Sequence, residues 1–123
     1  GRENQQKTAG RKADTRTLPE LLIERHDILI ERIGTRLKTH ATETDIARLF
    51  IALVEYRFMR KCPIKTFRNA LHEQFKEQEI VHERGIQKAY KNLISPLGNS
   101  KKLVKDIGED HEAIEELKAY LSN

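Results

Sequence analysis

The chain has no tryptophan, a single cysteine and only three prolines. Each scarcity removes a class of structure. One cysteine, Cys62, cannot build a disulfide framework, and it suits a reducing compartment. Pro19, Pro63 and Pro96 fall at the edges of apolar segments, which favours helices over a sheet. No apolar run approaches the ~20 residues that a bilayer-spanning helix requires, so no membrane partner is expected. No signal peptide is visible, and a cytoplasmic location is expected. Strand-like alternation of apolar and polar residues is also missing.

What the chain does have is charge: 34% of its 123 residues are charged, 37% are hydrophobic, and the net charge is +4. That length suits one domain with a modest core. The charge is unevenly spread. From Arg57 to Lys105 there are 12 basic and 4 acidic residues, whereas from Asp106 to Asn123 there are 1 basic and 6 acidic. The middle is a candidate anion-binding surface and the tail is its opposite, unless this is only the charge segregation common in helical proteins.

Residues 1–16 carry almost no apolar side chains and are expected to be a disordered basic arm or linker. Residues 17–123 are expected to form a single all-α domain of five to six helices. The first helix starts at Thr17, which has capping-box spacing to Glu20, and runs to about Lys38. It carries two apolar stripes. Ile23, Ile30 and Leu37 lie seven apart, suggesting a homodimer seam through this helix, although packing within one subunit also accounts for both stripes. The second helix, about Thr44 to Arg60, is apolar nearly all round, as a buried central strut would be, with Phe50 and Leu53 as core anchors. A short helix over Lys101 to Ile107 and a last one with Ile114, Leu117, Tyr120 and Leu121 on its apolar face close the chain.

The most informative stretch is Pro63 to Ile94, two short amphipathic segments joined by a polar break, the layout of a helix-turn-helix unit. Ile64, Phe67, Leu71 and Phe75 line the first segment, and Ile80 in the turn tucks back into the core. On a wheel of the second segment, Ile86, Ala89, Tyr90, Leu93 and Ile94 fall on one side. Arg84, Gln87, Lys88, Lys91 and Asn92 fall on the other, and these are donors suited to phosphates and major-groove base edges. Lys65, Arg68, Lys101 and Lys102 are expected to add phosphate contacts. Gly85 sits in the first turn of this helix, where glycine costs roughly 1 kcal/mol relative to alanine. A solvated face, or one that meets a protein, is the alternative reading.

Catalytic and metal chemistry find little support. No two of His26, His40, His72, His82 and His111 are four apart, and Cys62 has no partner at zinc-finger spacing. His111 between Asp110 and Glu112 fits a solvated helix start better than a site. Gly85, Gly98 and Gly108 are isolated, so no phosphate loop is present. No enzyme activity, metal or cofactor is expected.

The spacing of Phe67, Ala70, Leu71 and Phe75, then Ile80, then Gly85, Ile86, Tyr90 and Leu93 resembles bacterial helix-turn-helix regulators. More narrowly, over roughly Ile46 to Leu93, it looks like the RteC-type regulators of conjugative transposons. That resemblance implies a DNA-binding role, with Arg84, Gln87, Lys88, Lys91 and Asn92 at the exposed positions of a recognition helix. The sequence therefore leads to one expectation: a dimeric DNA-binding protein of transcriptional or mobile-element regulation, with double-stranded DNA as its partner. Its rival is a helical protein-interaction module whose basic surface binds an acidic partner, such as the acidic tail of a second copy.

Overall fold

The structure, a computed structural model, describes residues 14–94 and 109–122. The described residues form six helices and no strand: α1 (Leu18–Leu21), α2 (His26–Leu37), α3 (Glu43–Glu55), α4 (Ile64–Gln74), α5 (Glu83–Ile94) and α6 (Glu109–Ser122). The domain is all-α. The arm expected at residues 1–16 falls mostly outside the described residues, as does the short helix expected over Lys101 to Ile107. Where the chain is described, at Asp14 to Arg16, it is tied down. The Arg16 guanidinium donates to the Asp14 carboxylate at 2.7 Å, and the buried Thr66 hydroxyl of α4 donates to the Asp14 carbonyl at 3.3 Å.

The single long first helix divides into two. Thr17 and Glu20 do form the capping box that starts α1, and Leu18 and Leu21 are fully buried. Leu22 then leaves the helix and pairs with Met59 in an isolated antiparallel bridge. The Ile23 amide donates to the Phe58 carbonyl at 3.1 Å and the Arg60 amide to the Leu21 carbonyl at 2.8 Å. Arg25 turns into the left-handed region, φ 58°, before α2 begins. Long-range backbone bonds thus override a locally continuous helical pattern. The break separates the three residues of the seven-residue register. Ile23 lies off the helix and is 43% exposed, whereas Leu37 is in the core. The seven-residue register is therefore interrupted, and its residues belong to a connecting segment and to α2.

α3 is the central strut, although it ends earlier than the apolar pattern suggested. Thr42 caps its start, accepting from the Asp45 amide at 3.1 Å while the Asp45 carboxylate accepts from the Thr42 amide at 3.2 Å. Ile46, Ala47, Leu49, Phe50, Ile51, Ala52 and Leu53 are all buried. Its C-terminus closes as a Schellman turn: the Phe58 amide donates to the Leu53 carbonyl at 2.8 Å and the Arg57 amide to the Val54 carbonyl at 3.2 Å. The residue that must be left-handed there is usually glycine, but here it is Arg57, with φ 63°. Phe50 packs on Phe67 of α4, ring centroids 5.5 Å apart, and edge-on against Tyr90 of α5 at 5.7 Å.

α6 buries Ile114, Leu117 and Leu121 and packs against α3 and α2. Arginines of the α2 region grip it. Arg32 donates to the Tyr120 carbonyl at 2.8 Å and Arg25 to the Leu121 carbonyl at 3.3 Å. Cations at the carbonyl end of a helix are favourably placed. The Tyr120 hydroxyl donates back to the Arg32 carbonyl at 2.8 Å, and Arg36 pairs with Glu116 at 3.2 Å. That guanidinium holds the Glu116 carboxyl below its usual range. On α3's side, Tyr56 donates to Glu115.

Two stability measurements follow. Leu53→Ala should cost about 2–5 kcal/mol in denaturant unfolding, because Leu53 is fully buried at the centre of the strut. Arg57→Gly should stabilise the fold by up to about 1 kcal/mol by relieving the left-handed arginine. A lower midpoint for Arg57→Gly would show that its side chain outweighs the backbone strain.

Candidate functional site

The helix-turn-helix stretch folds as two helices held by one core. α4 begins after Pro63, whose fixed φ of −64° suits a helix start, and buries Thr66, Phe67, Ala70 and Leu71. Phe75 ends it and fits against Gly34 of α2, where a Cβ would approach the ring to 2.7 Å. Ile80 in the turn is buried, as its position in the sequence suggested. α5 follows, with His82 at its cap. The Arg84 amide donates to His82 Nδ1 at 3.1 Å and the Ile86 amide to the His82 carbonyl at 3.3 Å. Ile86 and Leu93 are buried, and Ala89 and Tyr90 are half-buried. Burial pushes the Tyr90 hydroxyl's pKa up.

The five polar residues of α5 are all exposed. Arg84, Gln87, Lys88, Lys91 and Asn92 stand away from the buried Ile86 and Leu93 face. The Gln87 amide donates to the Glu83 carboxylate one turn earlier, at 3.3 Å. Such an exposed contact is weak and leaves Gln87 free to turn outward.

The expected phosphate contacts divide. Lys65 is exposed in the first turn of α4. Arg68 is half-buried and braces the turn between the two helices. Its Nε donates to the Val81 carbonyl at 3.1 Å and its Nη2 to the Ile80 carbonyl at 3.1 Å. The guanidinium's planar fork spans two successive carbonyls, which a lysine could not do. Arg68 is therefore a positioning residue in this structure and not an open phosphate contact. Lys101 and Lys102 lie outside the described residues.

A feature not legible in the sequence joins the α5 face to α3. Thr44 and Arg48 of α3 line a groove with Lys88 and Asn92 of α5. Glu43, in the first turn of α3, lays its carboxylate over Gly85, where a Cβ would overlap the carboxylate and come within 2.8 Å of Glu43 Cγ. The sequence carries a faint signal of this: a glycine in a helix whose neighbours are all ordinary helix formers.

Other chemistry is thinly represented. Among the described residues, no three of His, Cys, Asp and Glu gather closely enough to hold a metal ion. Burial pushes the Cys62 thiol up to about 11, far from the lowered values of reactive thiolates. No described helix is long and apolar enough to cross a membrane.

The two roles on α4 are separable by experiment. Arg68→Ala should lower unfolding stability by about 1–3 kcal/mol through the lost charge-assisted bonds to the turn. Lys65→Ala should stay within about 0.5 kcal/mol of the parent. Equal stabilities in chemical denaturation would remove the bracing role.

No curated protein and no solved structure matches the chain. The whole of it, residues 1–123, matches the family of unknown function DUF6043, and the protein belongs to that family.

Proposed function

We propose that the protein binds double-stranded DNA through α5, as a regulator of transcription or of a mobile element. One observation carries the reading. Arg84, Gln87, Lys88, Lys91 and Asn92 form one exposed face on a short helix whose back is fixed by Ile86, Leu93 and the Phe50–Tyr90 contact. A helix so mounted can enter a major groove without surrendering its packing. Lysines on it suit phosphates, and Gln87 suits a base edge. The resemblance to RteC-type regulators points the same way and rests on hydrophobic spacings alone. A dimer through the divided first helix would use Ile23 and Ile28, the large apolar side chains left exposed among the described residues.

A second reading has its own support. α6 shows an acidic helix already seated on arginines of this chain, through Arg36 and Glu116. Basic surface of this kind suits an acidic protein partner too. α6 packs against α2 and α3 of its own chain, so the tail of a second copy would have to leave that seat to bind.

Titration of random duplex DNA at two salt concentrations separates the readings. DNA contact through several phosphates gives a steep loss of affinity with salt. Lys88→Ala and Lys91→Ala should weaken binding, each making the log–log salt slope shallower by about one, with melting temperature nearly unchanged. Gln87→Ala should blunt sequence preference by about 1–3 kcal/mol. Tyr90→Ala should instead destabilise the fold. Absence of duplex binding at low salt, or parental affinity in the lysine variants, would leave the acidic-protein reading in its place.

A further inference from the structure

The groove between the first turn of α3 and the side of α5 contains an arrangement that the DNA-binding reading does not by itself explain. Two cations, Arg48 and Lys88, and two neutral hydrogen-bonding groups, Thr44 and Asn92, line it together with one carboxylate, Glu43. The α3 capping box is completed by Thr42 and Asp45, and Glu43 is not part of it. The Glu43 carboxylate reaches away to α5 and occupies the space that any side chain at Gly85 would fill. Gly85 is the third residue of α5, so the carboxylate lies beside the first turn, where backbone amides favour negative charge. The helix tolerates a glycine there at a cost of roughly 1 kcal/mol in propensity. A carboxylate thus already lies against α5 in this groove, over a residue that carries no side chain.

We propose that this groove is a seat for a backbone phosphate of duplex DNA, and that Glu43 is its resident anion in the unbound protein. A phosphate entering beside Lys88 meets the Glu43 carboxylate as a like charge and displaces it. The side chain is long, ends in the exposed first turn of α3, and can swing into solvent without disturbing the core. Glu43 therefore weakens binding to any duplex. It raises the number of favourable contacts that a site must supply before the protein stays bound. Thr44 and Arg48 of α3 become part of the interface, although neither belongs to the helix-turn-helix unit. This inference rests on the DNA-binding reading.

The test compares duplex affinities at low salt for the parent, Glu43→Gln and Glu43→Asp, with melting temperatures recorded for each. Glu43→Gln removes the charge and keeps the shape. Glu43→Asp keeps a charge at the start of α3 but withdraws it from Gly85, so the pair separates the seat from the stability of α3. Glu43→Gln should tighten binding by up to about fivefold, the ceiling set by one like charge held at about 4 Å in water. Glu43→Asp should tighten it in the same direction. Glu73→Gln, the same charge change on the exposed side of α4, should gain clearly less. The Glu43→Gln gain should shrink towards nothing in a Lys88→Ala background, as coupling through one seat requires. Parental or weaker affinity in Glu43→Gln, an equal gain in Glu73→Gln, or an undiminished gain without Lys88 would overturn the proposal while leaving DNA binding intact. A parent protein that binds no duplex would remove both.

Discussion

The Phe50 ring stands between Phe67 and Tyr90, and the placement of the candidate interface depends on that contact. Phe67 belongs to α4 and Tyr90 to α5, so one side chain of the central helix sets the position of both. Aromatic packing is directional as well as apolar, and the tilted and edge-on geometries resist sliding. The turn between α4 and α5 needs a separate constraint, because its residues are mostly polar. Arg68 supplies it by bonding the carbonyls of Ile80 and Val81, so an arginine on α4 fixes the angle at which α5 departs.

The same logic explains how a chain with opposed charge blocks folds without neutralising its basic face. Among the described residues, the acidic last helix finds its ion pair on α2, where Arg36 meets Glu116. It packs against α3 and α2, where Arg25, Arg32 and Arg36 meet its terminal carbonyls and Glu116. Arg32 and Arg36 also lie over the Tyr120 ring, at 5.8 and 5.4 Å. The arginines of α2 and the lysines of α5 therefore serve different ends: the first hold the domain together and the second stay in water.

Periodicity revealed α3, α4, α5 and α6 because each has one dominant apolar face or none that is polar. Phe50 and Leu53 were legible as core for that reason. The break at Leu22 to Arg25 was not, since its cause lies about 35 residues away, in the backbone of Phe58 to Arg60. A wheel sees only a helix's own residues, so two helices with different phases look like one helix with two stripes. Exposure of the α5 face was legible, because it follows from the buried stripe opposite. The role of Arg68 was hidden: a basic residue at an outward position looks the same whether it faces solvent or reaches a nearby carbonyl. Thr44, Arg48 and Glu43 are not legible as a groove, because the apolar pattern marks α3 as a buried strut and only the fold brings its first turns beside Lys88.

The clasp between α2 and α6 also has a temporal meaning. Its bonds join residues up to 96 positions apart, Arg25 with Leu121, whereas α4 and α5 meet through neighbours in sequence. Contacts so distant bear the full entropy of closing the chain before they return any stabilisation. The helix-turn-helix pair and its Phe50 anchor can therefore assemble from a contiguous segment. During synthesis α3 precedes α6, so the apolar surface that α6 covers can be closed only once that helix has been made.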